Sequence, residues 1–588
     1  MEGLFKSVLF LTIFCLQFQS GFAVDPCVVS RLESQTTGTE PVFQNAVVAA
    51  DHPLASLAGL EILKRGGNVV DAAVATSFAL SVVRASSCGI GGGGFMLIWN
   101  AQTQQAVALD YRERAPQQAT RNMFVENNNP AKPGNALSRK GHLAVAVPGT
   151  VAGLCYAQKQ YGMLKLKTVL EPAIRLARVG IRPDAHQQST QKSTLREFRN
   201  NPSYRKRFQT LYEKYLNNGK EWNAEDRFHS PLLEVLERIA EQGSDGFYRG
   251  PVAQALVAES RRGGGLLMPE DLVCMQPVVR KALRGRFDGL EIISMPPPSS
   301  GGVALLESLN LLSAYEREHP HRRMEKLGLN TPAYLHLLTE AMKHSFADRA
   351  AFLGDADFAN VPVARLIRRS YAERLAAKID ENMTKPLKEY GRYLPVDDAG
   401  TSHFSIIDHH GNAVACTETI NTRFGSFVVE PRYGIVLNNQ MDDFAAVPGQ
   451  PNAFGLIQSE ANSVQPGKKP LSSMTPTIVI KDGKAVFALG ASGGPRIISS
   501  TLQVLLNMTR FGMSPAEAIN QPRIHHQWLP NTLFVEEPLF EKICKPLEQR
   551  KHSVQRRNHL AAVQAVSRRQ DGLRAASQPS KHGKPAGS

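Results

Sequence analysis

Thr401 follows Gly400 deep inside the chain and opens the run TSHFSIIDHHGNAVACTETI. His403, Ser405 and Ile407 alternate with Ser402, Phe404 and Ile406. Residues 408–412 form a polar turn with Gly411, and 413–420 is a second β-rich run, so the spacing predicts a hairpin. Cutting the Gly400–Thr401 bond would leave a hydroxyl and a free α-amine on one residue at a strand start. An α-amine has a reference pKa of about 7.7–8.0, so it can take the proton of its own hydroxyl and make Thr401 an N-terminal nucleophile. Spacing alone makes Gly-Thr only a turn and a strand; the rest of the chain has to supply the chemistry.

Four segments downstream do so: LNNQMDDF at 437–444, PLSSMTPT at 470–477, GASGGPRII at 490–498 and RIHHQWLP at 523–530. With the hairpin, they closely resemble the small subunit of the γ-glutamyltranspeptidases, or glutathione hydrolases. Upstream, GLEILKRGGNVVDAAVATSFAL, GIGGGGFML, LDYRERAP, AVPGTVAGL and SMPPPSSGG resemble that family's large subunit, and KHGKPAG near the end resembles its C-terminal motif. The resemblance runs in consistent order over roughly 45–540. It implies a precursor cut once before Thr401, giving a heterodimer of a large subunit, 24–400, and a small catalytic subunit, 401–588.

The resemblance also assigns roles. Thr401 is the nucleophile and its own base, and Thr419 holds its hydroxyl. Gly493 and Gly494 match the oxyanion glycines; residues without Cβ let backbone N–H groups approach a developing alkoxide. Arg112 matches the clamp on the substrate's α-carboxylate, a task suited to a planar guanidinium, and Ser472 and Ser473 add hydroxyl donors there. Asn421, Gln440 and Asp443 match the acceptors for the α-ammonium. Arg114 reads as a surface decoy, and Asp442 as solvated or structural. Phe454 falls where lid-bearing relatives often carry tyrosine, so a lid without its hydroxyl is expected. Arg84 and Cys88 also depart from the family's commoner residues, with no evident effect on the site.

The implied activity is transfer of a γ-glutamyl group from glutathione or related compounds to water, or to amino acids and dipeptides, with no cofactor. A glutaryl or cephalosporin acylase is the alternative within catalysis. Asp443, Gln440 and Asn421 argue against it, because an amine-free acyl group would leave them unpaired at roughly 1–3 kcal/mol each. An unprocessed extracellular pseudoenzyme is the alternative outside catalysis; Thr401, Thr419 and both glycines speak against it.

The elements that must position these groups are legible in part. Residues 54–64 and 69–83 read as helices split by Gly66-Gly67, and Gly91–Gly94 as a tight packing turn before a strand at 95–99. Residues 162–260 look helical, 278–294 strand-like, and 334–353 and 371–378 helical. Residues 383–400 suit a linker ending at the scissile bond. After 401 strands dominate until helices at 501–509 and 514–520. Strands flanked by helices on both sides of the cut suit helices covering two packed sheets, and the resemblance implies an α+β, αββα four-layer sandwich of the N-terminal nucleophile hydrolases.

Composition bounds the rest. At 588 residues, 42% hydrophobic and 21% charged, the chain is globular. The net charge of +15 is partly local, since residues 550–588 carry nine Lys/Arg against one acid, Asp571. With no nucleic-acid motif, this reads as a basic tail serving solubility or surface association. Lys6, the apolar run 8–18 and Gly21-Phe22-Ala23 predict an export signal over 1–23, too short for a span of about 20 apolar residues. The expected location is therefore periplasmic or secreted, with no stable membrane span. The cysteines show no metal-ligand spacing, and Cys155, Cys274 and Cys416 in apolar runs read as buried thiols. The pairs His409-His410 and His525-His526 have no partner carboxylate at ligand spacing, so no metal is expected.

Overall fold

The computed structural model describes residues 40–124, 136–391, 401–445 and 459–588. The export signal, Gly400 and Phe454 lie outside these. The hairpin forms as its periodicity requires: β7 (Ser402–Asp408) pairs antiparallel with β8 (Ala413–Thr419), Ser402 opposite Glu418 and Ile407 opposite Ala413. Gly411 closes the turn at φ 88°, a left-handed value that favours glycine, and the Asp408 carboxylate accepts the Asn412 N–H at 2.9 Å.

The hairpin sits inside a seven-stranded sheet, between β1 (Ala46–Ala50) and β2 (Gly93–Asn100). Beyond β1 lies β16 (Ala586–Gly587); beyond β2 lie β3 (Gln105–Asp110) and β4 (Val278–Arg280). A six-stranded sheet runs β15 (Gly572–Ser577), β14 (Ala562–Arg569), β10 (Lys484–Ser492), β9 (Thr477–Lys481), β6 (Leu290–Ser294), β5 (Leu283–Phe287). A small third sheet joins β11 (Ile524–His525), β12 (Leu533–Glu536) and β13 (Val554–Arg557). β7 packs on β10 and β14, so the two large sheets face each other.

Both faces of the central strands β1, β7, β8 and β2 are buried, and alternation divides their residues. Val48, Ala50, Met96, Phe404, Ile406 and Val414 pack with α1 (Pro53–Lys64) and α2 (Val69–Val83). Val47, Ala49, Phe95, Leu97, Ile407 and Ala415 pack with Ile478, Val479 and Leu489 of the other sheet. Truncating a residue such as Phe404 to alanine would cost about 3–5 kcal/mol. The six-stranded sheet is covered by α3 (Gly301–Glu318) and α5 (Arg496–Arg510), with α4 (Pro332–Phe352) against α3. The order is helix, sheet, sheet, helix. Local chemistry starts these helices: Asn68 and Asp71 form a capping box before α2, and Thr331 caps α4 ahead of Pro332.

Four expectations need correction. Residues 550–588 are not a tail: β14 lies beside β10 and β16 beside β1, with exposed Arg556 and Arg557 on β13 and half-buried Arg568 and Arg569 at the end of β14. Gly93 and Gly94 belong to β2, not to a turn. Cys274 is exposed, because it caps a short helix, Pro269–Val273, rather than continuing an apolar run. The start of the linker is docked: Thr384 N–H bonds Arg550 O and Leu387 O accepts Trp528 Nε1–H. Among the described residues, no helix is long and apolar enough to cross a membrane.

Candidate active site

Thr401 immediately precedes β7, and the hairpin register carries it opposite Thr419, the last residue of β8. Their hydroxyl oxygens are 3.3 Å apart. The Asn421 N–H donates to Thr419 Oγ1 at 2.8 Å, which fixes the Thr419 hydroxyl beside that of Thr401. Gly93 pairs with Thr419 across the sheet, and a Cβ at Gly92 would stand 2.1 Å from Thr419 O. The glycine run thus serves the close approach of this strand.

His403, two residues along on the same strand, is not a base for Thr401. Burial holds its pKa down at about 3, and its ring nitrogens are bonded to Thr417 Oγ1 at 2.8 Å and Ser405 Oγ at 2.9 Å.

Gly493 and Gly494 connect β10 to α5 with φ of 145° and 58°. A side chain at either position would be strained, and α5 presents its positive end there. Gly494 lines one cavity with Thr401, Thr419, Arg112, Asp443 and Ser473.

Arg112 is fully buried at the end of β3. Its Nη2 lies 2.5 Å from Asp443 Oδ2, Nε donates to Pro470 O at 3.2 Å, and Nη1 is 3.5 Å from Glu113 Oε2. Asp443 also accepts Gln440 Nε2–H at 2.7 Å. Burial raises the Asp443 pKa and Arg112 pulls it back; Glu113 is pushed up to about 7, chiefly by burial. Gln440 Oε1 is buried without a partner, and Asn421 Nδ2 donates to Asn439 O at 3.0 Å, leaving the Asn421 oxygen as an acceptor. Ser472 and Ser473 line the same cavity. One cavity thus brings together Thr401, Thr419, Arg112, Asn421, Gln440, Asp443, Ser472, Ser473 and Gly494, with Gly493 next to Gly494 in the chain.

Other expectations change. Arg114 is half-buried, not superficial, and its backbone bridges Val147. Asp442, read as solvated or structural, is the latter: it is buried and accepts the Ser138 hydroxyl at 2.5 Å. Arg84 bears on the site after all: fully buried, it donates to Lys581 O at 2.8 Å. Lys581 Nζ in turn contacts Thr401 O at 2.5 Å, Ser492 Oγ at 2.7 Å and Asp51 Oδ2 at 3.1 Å. Lys581 was legible only as part of KHGKPAG. Arg349 of α4 lines the cavity too, and no motif announced it. Glu418, the residue before Thr419 on β8, is fully buried, accepts the hydroxyls of Ser77 (2.6 Å) and Tyr111 (2.9 Å), and has its pKa raised to about 7 by burial.

His525 and His526 are buried and bonded to protein groups, His525 to Ser499 Oγ and Gln527 Oε1, His526 to Trp528 N–H. One cluster of metal-ligand type does exist, His336, Glu340 and His552, with ligand atoms within 4.8 Å of one another. Its carboxylate is already served by Thr384 Oγ1 at 2.6 Å, by Tyr390 OH and by the Lys343 ammonium at 3.7 Å, so it works as a buried hydrogen-bonded network.

The family model described as Gamma-glutamyltranspeptidase matches residues 55–588. A glutathione hydrolase proenzyme of Escherichia coli is 40% identical over 539 residues, covering 91% of this chain and 90% of that one. Among solved structures, a cephalosporin acylase from Bacillus halodurans superposes with a TM-score of 0.82 at 26% identity, over 94% of this chain and 97% of the other. A γ-glutamyltranspeptidase chain from Helicobacter pylori matches with a TM-score of 0.53 at 37% identity, over 60% of this chain and 95% of that one.

Proposed function

The chain belongs to the gamma-glutamyltranspeptidase family, and from that premise we propose that it is a γ-glutamyltransferase and glutathione hydrolase that matures by its own cleavage before Thr401. Relatives are named proenzymes, and the solved Helicobacter pylori chain corresponds to 60% of this one, as a large fragment would. In maturation, Thr401 Oγ attacks the Gly400 carbonyl, the acyl group moves from nitrogen to oxygen, and water opens the ester, leaving Thr401 with a free amine.

In turnover, the amine takes the Thr401 hydroxyl proton as Oγ attacks the γ-carbonyl of the donor. Gly493 and Gly494 N–H groups receive the oxyanion; one such donor typically contributes about 2.7–4 kcal/mol. The amine's proton then goes to the departing nitrogen, and a threonyl ester remains. Water resolves it in hydrolysis, an amino acid or dipeptide amine in transpeptidation. Arg112, Ser472 and Ser473 take the α-carboxylate, and Asp443, Gln440 and Asn421 the α-ammonium. Export to the periplasm or medium is part of the proposal, supported by the signal-like first 23 residues.

The observation that carries this reading is the pairing of acid and base in one cavity with Thr401. An acylase reading draws on the cephalosporin acylase likeness, but an amine-free acyl chain would leave Gln440 Oε1 buried and unpaired. N-terminal sequencing of the small fragment should begin at Thr401, and a γ-glutamyl anilide should be cleaved well ahead of its glutaryl analogue. Equal or faster release from the glutaryl compound would overturn the assignment.

A further inference from the structure

Arg349 stands in the last turns of α4, 2% exposed, on the wall of the cavity that holds Thr401. Its Nε donates to Ser300 Oγ at 2.9 Å and its Nη2 to Ser473 Oγ at 3.3 Å. Ser300 in turn holds Ser472 O through both its backbone N–H at 2.7 Å and its hydroxyl at 2.6 Å. One guanidinium therefore braces both serines assigned to the substrate carboxylate. The Nη1 group is buried and has no hydrogen-bond partner among the described residues.

Charge makes this conspicuous. Arg112 is matched by Asp443 at 2.5 Å and flanked by Glu113 at 3.5 Å. Arg349 has no carboxylate of its own among the described residues; the one opposite charge acting on it is Asp443, already engaged by Arg112 and Gln440. Burial draws its pKa down to about 10, as befits a cation held from water without a counter-ion. A buried guanidinium with neutral partners is unfavourable until an anion reaches it.

We propose that Arg349 is a second carboxylate-reading residue of the γ-glutamyl pocket, offering its Nη1 N–H groups to the substrate's α-carboxylate while positioning Ser473. The inference rests on the γ-glutamyl function proposed above. Arg112 then answers Asp443 as much as the substrate, and recognition of the carboxylate is shared between two arginines from opposite sides of the sandwich core, β3 and α4.

The test compares two donors, a γ-glutamyl anilide and the 4-aminobutanoyl anilide that lacks only the α-carboxylate, on wild type, Arg349→Lys and Arg349→Gln. Processing is followed on a gel. Losing a charge-assisted hydrogen bond should lower kcat/KM for the γ-glutamyl donor by about ten- to hundredfold in Arg349→Gln, with less than about threefold change for the 4-aminobutanoyl donor; Arg349→Lys should fall between. An equal loss on both donors would make Arg349 a brace only and overturn the proposal. So would an undiminished preference in either processed variant, or failure of both to process. Absence of γ-glutamyl turnover in the wild type is a separate result, which would strike the function and not this residue.

Discussion

Arg112 Nη2 and Asp443 Oδ2 lie 2.5 Å apart, so the two charges proposed to receive the two ends of an amino acid are held against each other inside the protein. Neither is isolated: Pro470 O and Gln440 Nε2 fix one partner each. A zwitterionic substrate end meets a preformed dipole of opposite sense, with little reorganisation left to do.

The pair should behave as a unit. Removing one partner leaves a buried charge uncompensated, at about 3–5 kcal/mol, so Arg112→Met and Asp443→Ala should each lower the denaturation midpoint strongly. The double variant should be more stable than the sum of the two losses predicts, with a coupling of about 1–3 kcal/mol. Additive losses in urea unfolding would show that the contact carries no weight.

Thr419→Val keeps the shape beside Thr401 and removes the hydroxyl 3.3 Å away. A net hydrogen bond is worth about 0.5–1.5 kcal/mol, so both processing and turnover should slow by about two- to tenfold. Time courses of precursor cleavage and of anilide release measure the two on the same preparation. Unchanged rates in both would leave Thr419 as an ordinary strand residue.

Lys581 contacts the carbonyl oxygen of Thr401 from a point 180 residues away in sequence. Lys581→Met should reduce kcat while leaving KM for the γ-glutamyl donor nearly unchanged, because it shifts the nucleophile and not the acyl pocket. Lys581→Arg should recover part of the rate by restoring a donor. A rise in KM with kcat intact would contradict this role.

Glu418 supplies a pH dependence. Its folded pKa, about 7, lies above the ordinary carboxylate value of 4.5, so the native state holds the proton more tightly than the unfolded chain. The resulting stabilisation is complete below about 4.5 and is lost as pH rises through 7; a shift of this size corresponds to about 3 kcal/mol. Glu418→Gln should therefore flatten the fall in Tm between pH 5 and pH 8. Glu113, raised likewise to about 7, would retain some slope. Parallel Tm–pH curves for variant and wild type would refute the assignment.

Local signals were the readable ones. Alternation from 402 to 407 and the turn around Gly411 specify β7 and β8 without help from the rest of the chain, and the motifs name the groups that meet in the cavity. Glu537–Gln549 is a helix that sequence reasoning passed over, because Pro538 and Pro546 interrupt its pattern. The C-terminal strands were masked by Arg556, Arg557, Arg568 and Arg569, whose charges face outward or cap strand ends. Arg349 and Lys581 were invisible for another reason: what matters about them is a contact made by the fold, across separations of 124 and 180 residues.

The two large sheets alternate between the halves of the precursor. In one, β16, β7 and β8 follow Thr401 while β1, β2, β3 and β4 precede it; in the other, β9 of the later half pairs with β6 of the earlier. Four ladders, β16–β1, β1–β7, β8–β2 and β9–β6, thus cross the cut. The proposed cleavage would change the molecularity of folding. The precursor assembles these ladders within one chain, at a rate indifferent to dilution, whereas the mature pair, once unfolded, must find its partner by collision. Maturation would then be a one-way step: recovery of native secondary structure after denaturation should rise with protein concentration for the mature enzyme and stay flat for the uncleaved Thr401→Ala chain.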